Sequence, residues 1–163
     1  MTRLARHIRH LCRADDGAAL VEFGMVLPVL LLVTAVIVEG GRITWAYQSV
    51  SAGVRDAARM IARIAPPDLC PGGSVGTYDA LATEIVSQSL DGSSVVPRMV
   101  TVLDVEPTLL CVAGAYRVNP SAIVQVRARI RVDYIFGNVF GLFGAGLGAL
   151  ETEVADQSRV FGT

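Results

Sequence analysis

Sixteen consecutive residues without a charge, Phe23 to Val38, constrain this 163-residue chain more than any other feature. Starting at Ala18 the stretch reaches twenty-one residues, interrupted only by Glu22. A helix needs about 20 mostly apolar residues to cross the hydrocarbon of a bilayer, so the run is long enough. Composition agrees: 52% of the residues are hydrophobic and only 18% charged, where a soluble domain carries roughly a quarter charged. A cleaved secretory signal has an apolar region of about 7–15 residues followed by a small-x-small site. The segment Val33 to Glu39 offers no such site.

Charge is distributed unevenly around the run. Arg3, Arg6, Arg9 and Arg13, with His7 and His10, crowd the first thirteen residues, whereas from Ala18 onward ten arginines face thirteen acids. A basic head before an apolar run holds an N-terminus in the cytoplasm and sends the downstream chain across the membrane. The net charge of −1 gives no basis for nucleic-acid binding.

The helical pattern continues past the membrane edge. Ile43, Tyr47, Val50, Val54, Ala57, Ile61 and Ile64 recur at spacings of four and three, the period of one apolar stripe. Arg55, Arg59 and Arg63 form a parallel basic stripe, and Asp56 is spaced to pair with Arg59. Pro66-Pro67 ends the pattern, since proline lacks the N–H and clashes with the preceding turn. Residues 18–65 are predicted as one helix, weakest at Pro28 and at Gly40-Gly41. The first half would span the membrane, and the second would pack on the chain's own C-terminal domain, with a dimeric coiled coil as the alternative.

Residues 66–163 read as an exported domain. Tyr78–Leu90 is predicted as a short helix with Leu81, Ile85 and Leu90 inward. Met99–Val105 and Leu109–Val118 are strand candidates, and Leu150–Val160 a last strand. The clearest strand is Val124–Tyr134, where Val124, Val126, Ala128, Ile130, Val132 and Tyr134 alternate with Gln125, Arg127, Arg129, Arg131 and Asp133. Strict period-two alternation marks an antiparallel strand with one wet face. The expected fold class is α+β, a long N-terminal helix packed on a small antiparallel sheet.

Residues 135–150, IFGNVFGLFGAGLGAL, form a second uncharged run. Five glycines argue against another spanning helix, each costing about 1 kcal/mol relative to alanine. Phe136, Phe140, Phe143 and Leu147 nevertheless fall at helical spacing. A mobile apolar loop with one short helical turn is expected, either buried in its own domain or in contact with membrane or a partner.

The opening segment carries a more specific pattern. An arginine-rich leader ending in Asp15-Asp16-Gly17 precedes Ala18-Ala19-Leu20-Val21-Glu22-Phe23 and the apolar run. This resembles the processing site of TadE-like minor pseudopilins of tight-adherence (Tad) pili, within the type IV pilin superfamily. Pro28, Glu39-Gly-Gly-Arg42 and Ala57-Ala58-Arg59 resemble that family's extended helix, with Gly41 where a phenylalanine is expected. The resemblance implies that a prepilin peptidase cuts between Gly17 and Ala18, removing residues 1–17. It also implies that Glu22 and Phe23, fifth and sixth in the mature chain, serve recognition and assembly. Glu22 would pair with a neighbouring subunit's new N-terminus. The implied partners are the peptidase, other pilin subunits, the inner-membrane assembly platform and the lipid bilayer, with adhesion and biofilm formation as the setting. The C-terminal domain would be periplasmic, or carried into the pilus. The alternative is an uncleaved single-span protein whose exported domain binds an envelope partner or ligand.

Catalytic chemistry finds little support. Gly72-Gly73-Ser74-Val75-Gly76 matches the G-x-S-x-G nucleophile elbow, which needs a strand before it, a helix after it and a histidine base. Both histidines lie in the leader. Gly144-Ala-Gly146-Leu-Gly148-Ala149 imitates a dinucleotide fingerprint with too little chain after it for a βαβ unit. Of three cysteines, Cys12 falls in the leader, while Cys70 and Cys111 reach an oxidising compartment and are expected to form a disulfide. No cofactor, metal or enzymatic activity is expected.

Overall fold

A computed structural model describes residues 16–70, 72–88, 92–144 and 146–161. The leader, with His7, His10, Cys12 and Asp15, lies outside the described residues, as does Leu90. Helix α1 (Asp16–Ile64) runs for 49 residues through Pro28 and through Gly40-Gly41. A 3-10 turn (Gly76–Tyr78) leads into α2 (Asp79–Ser87). Strands β1 (Val100–Val112) and β2 (Ser121–Asp133) follow, then the short helix α3 (Gly137–Leu142) and β3 (Ala149–Arg159). The three strands form one antiparallel sheet in the order β1-β2-β3. The architecture is α+β.

The chain divides into two compact units between Val38 and Glu39, within α1. Up to Val38 the helix points most of its apolar side chains outward: Leu20 is 75%, Met25 68% and Ile37 68% exposed. Many of these residues are β-branched, which weakens helices in water. In lipid only a helix satisfies every backbone polar group of a lone segment, so the preference reverses. Among the described residues α1 alone is long and apolar enough to cross a membrane, with a window of mean hydropathy 2.5.

From Glu39 onward the helix acquires an inward face. Ala46, Val50, Val54, Ala57, Ala58, Ile61 and Ala65 are buried in one cluster with Val124, Val126, Ala128, Ile130 and Val132 of β2. The predicted stripe holds at Ile43, Val50, Val54, Ala57 and Ile61 and fails at two positions. Tyr47 and Ile64 are exposed, and Ala46 takes the inward place that Tyr47 was expected to hold. Small residues on this face let the helix sit close on the sheet.

Helix α2 approaches α1 at Gly53, where an added Cβ would lie 3.0 Å from the Val86 Cα and 3.2 Å from its carbonyl oxygen. The close approach decides which face of α2 turns inward. Ala82 and Val86 are fully buried, while Leu81 and Ile85, expected inside, are only half-buried.

The strand candidates 99–105 and 109–118 prove to be one strand, and it stops at Val112. Its register shifts between Val102 and Asp104, an extra residue that breaks the period-two pattern. Pro107 sits inside β1, an edge strand, the place in a sheet where proline is tolerated. The outer face of the sheet is wet. Arg129 on β2 stands between Asp104 of β1 and Glu153 of β3, and Arg127 reaches Glu153 at 3.8 Å. These exposed pairs favour the register but add little stability.

Candidate functional site

Three places carry the residues of interest: the start of α1, the junction at Glu39, and the segment 135–148. Gly17 and Ala18 lie in the first turn of α1, one residue after its start at Asp16. The peptide bond expected to be cut is therefore helical and not extended. A first turn lacks the bonds that hold later turns, so it opens at small cost, and glycine makes that opening easier. Glu22 and Phe23 are exposed one turn further on, Phe23 at 60%.

The junction is a feature that sequence patterns do not announce. Glu39, first residue after the uncharged run, is 2% exposed. Its Oε2 accepts a bond from Arg42 Nη1 at 2.6 Å, one helical turn later. Its Oε1 accepts the backbone N–H of Phe136 at 2.8 Å, ninety-seven residues away. Arg42 Nη2 also reaches the Arg98 carbonyl at 3.5 Å. The buried carboxylate is thus both neutralised and hydrogen-bonded, the condition for burying a charge without a large penalty. A carboxylate three residues before an arginine is visible in the sequence as a possible pair; its second partner, the Phe136 N–H, is not.

Phe136 directly precedes α3, so the Glu39 bond fixes where this short helix begins. The segment closes on itself at Gly137, where an added Cβ would lie 2.6 Å from the Leu147 carbonyl oxygen. Of the four residues expected to make contacts, Phe140 is buried, its ring edge-on to Tyr134 with centroids 6.4 Å apart. Phe136 is half-buried. Phe143 and Leu147 are exposed, and so are Ile135 and Leu142, which the helical spacing had not selected.

Cys70 and Cys111 are joined by a disulfide, their Cα atoms 5.7 Å apart. It ties the chain just after α1 to the end of β1. Arg55 pairs with Asp156 of β3 at 3.2 Å. Among the described residues no ion pair joins Asp56 to Arg59.

A groove of 970 Å³ runs between α1 and α2, lined by Gly53, Asp56, Arg59, Met60, Leu81 and Ile85 among others. Its charges are mixed in sign. Ser74 lies in the loop after α1, and its hydroxyl accepts the Gly76 N–H at 3.1 Å, a local turn with no strand before it. Among the described residues no cluster of three or more acidic, histidine or cysteine side chains could hold a metal ion.

The segment that joins the first two of these places matches a family model. Residues 17–59 match the family of TadE-like proteins. The match begins at Gly17, covers Glu22, Phe23, Pro28 and the Glu39–Arg42 pair, and ends inside the buried stripe of α1. No curated protein and no solved structure matches the chain. The TadE-like segment and the single apolar helix together fit a membrane-anchored protein associated with Tad pili and their components.

Proposed function

We propose that this chain is a minor pilin or pseudopilin, an assembly subunit of a Tad-type pilus and not an enzyme. In this reading a prepilin peptidase cuts after Gly17, and the protein stays in the inner membrane with residues 39–163 on the outer side until it joins or primes the fibre. The observation that carries the reading is the TadE-like match over residues 17–59, starting at the proposed cleavage glycine. The exposed apolar face of α1 up to Val38 supports it, because lipid before extraction and neighbouring helices after it would both cover that face.

N-terminal sequencing and intact mass of the membrane-fraction protein test the reading. The mature chain is expected to begin at Ala18. Gly17→Val should accumulate full-length precursor, because a branched side chain obstructs the peptidase cleft and removes the backbone freedom of glycine. A wild-type protein that retains its leader in cells with an active peptidase would instead favour the static single-span protein.

A further inference from the structure

We propose that the segment 135–148 is a membrane-contact element, lowering its exposed apolar side chains into the interface of the bilayer that α1 crosses, on the side where α1 emerges. The inference rests on the single-span reading and adds a lipid surface as partner of the folded domain.

Chain continuity supplies the first argument. Glu39 follows Val38, the last residue of the uncharged run, and holds the Phe136 N–H at 2.8 Å. The hydrogen bond that fixes the segment therefore begins one residue after the run ends. Phe136 is thereby held beside the residue that directly follows the uncharged run.

The second argument is chemical. Residues 135–150 carry no charge. Ile135 is 52%, Leu142 84%, Phe143 50% and Leu147 43% exposed. Grouped apolar side chains on a surface mark a contact with membrane or protein. The height set by Glu39 decides between them, because lipid surrounds that height in every unassembled copy. The carboxylate itself offers no obstacle, being paired with Arg42 and bonded to Phe136.

Exposed aromatics beyond Glu39 fit the same boundary. Trp45 and Tyr47 lie six and eight residues further along α1, about 9–12 Å at 1.5 Å per residue. Tryptophan and tyrosine concentrate at membrane–water interfaces. Short amphipathic elements settle roughly 5–10 Å into the headgroup and acyl boundary, a depth that α3 and its flanks could reach without crossing.

Bromolipid quenching of tryptophan fluorescence tests the proposal on the full chain, reconstituted in vesicles of phosphatidylethanolamine and phosphatidylglycerol. Trp45, the chain's one tryptophan, is first replaced by phenylalanine. Single tryptophans are then introduced as Leu142→Trp, Phe143→Trp, Val33→Trp or Gln157→Trp, all at exposed positions that the fold tolerates. With bromine near the headgroup end of the acyl chain, Leu142→Trp and Phe143→Trp should lose roughly half their emission, and Gln157→Trp on the outer sheet face almost none. Quenching of Val33→Trp without quenching of either loop variant overturns the membrane contact and leaves the spanning helix standing. Absence of quenching at Val33→Trp overturns the span and this inference with it. A loop signal that shifts only as protein density rises, unquenched by bromolipid, assigns the segment to a protein neighbour and also refutes the proposal.

Discussion

Removing the carboxylate of Glu39 leaves the Arg42 guanidinium without its close partner and the Phe136 N–H without an acceptor. Truncating one member of a buried, hydrogen-bonded ion pair costs about 3–5 kcal/mol. Because Arg42 keeps 19% exposure, the lower part of that range applies. Glu39→Ala should therefore unfold at clearly lower temperature, and Glu39→Gln, which retains an acceptor, at an intermediate one. Thermal denaturation of the purified chain in detergent, followed by circular dichroism, reads both. Equal melting of all three proteins would remove the junction from the account. The disulfide makes a parallel case: Cys111→Ser should cost about 4 kcal/mol for a loop of this length on the chain-entropy argument. Alkylation without reductant, followed by intact mass, should modify neither Cys70 nor Cys111 in the wild-type protein. Of these residues the cysteines were legible from the sequence, because only Cys70 and Cys111 lie beyond residue 17. Glu39 was not, because its deciding bond goes to a backbone N–H ninety-seven residues away and no side-chain pattern encodes a backbone donor.

Strand β2 could be read almost residue by residue from Val124 on, since there one face is buried and the other is wet. Strand β1 could not. Its extra residue near Leu103 moves Val102 and Val105 onto the same side despite odd spacing, and Pro107 looks like a breaker until the strand is known to be at the edge. Helix α2 misled for a third reason. Period alone favours burying the larger Leu81 and Ile85, but contact with Gly53 admits only a small face, Ala82 and Val86. This contact predicts opposite outcomes for glycines of the same helix. Gly53→Leu must push the α2 backbone away and should destabilise the domain by about 1–3 kcal/mol. Gly40→Ala and Gly41→Ala meet nothing within 4 Å. Each should stabilise by up to about 1 kcal/mol through helix propensity. Chemical denaturation of the three variants checks the pattern, and a neutral Gly53→Leu would mean that α2 does not pack as described.

At the scale of the whole chain, one helix serves two environments, exposed and apolar to Val38, then one-sided and packed from Glu39 onward. Sequence patterns expect a spanning first half and a packed second half of this one helix, and the two compact units divide between Val38 and Glu39, where the uncharged run ends. Glu22 belongs to the first environment and is the one carboxylate inside its apolar run. Near the bilayer centre a lone carboxylate costs about 2.5–3.5 kcal/mol, less toward the headgroups. Four residues separate it from Ala18, about 6 Å along the axis, so it stands close to the proposed mature terminus. Under the proposed function the cost would be offset by a neighbour's terminal ammonium meeting the carboxylate, a meeting that would also set register. Glu22→Val should accordingly lie more comfortably in lipid and still be processed, because Gly17 and Ala18 are unchanged. It should nevertheless lower the number of pili per cell by at least roughly tenfold, the effect of losing about 1.4 kcal/mol at a single contact. Glu22→Gln should resemble Glu22→Val if charge is what matters, and wild type if hydrogen bonding suffices. Electron microscopy gives the pilus count, and intact mass of the membrane fraction shows whether processing survived. Normal pili from a strain carrying only the processed Glu22→Val subunit would end the register role. Fewer pili with unprocessed protein would move Glu22 from assembly to peptidase recognition.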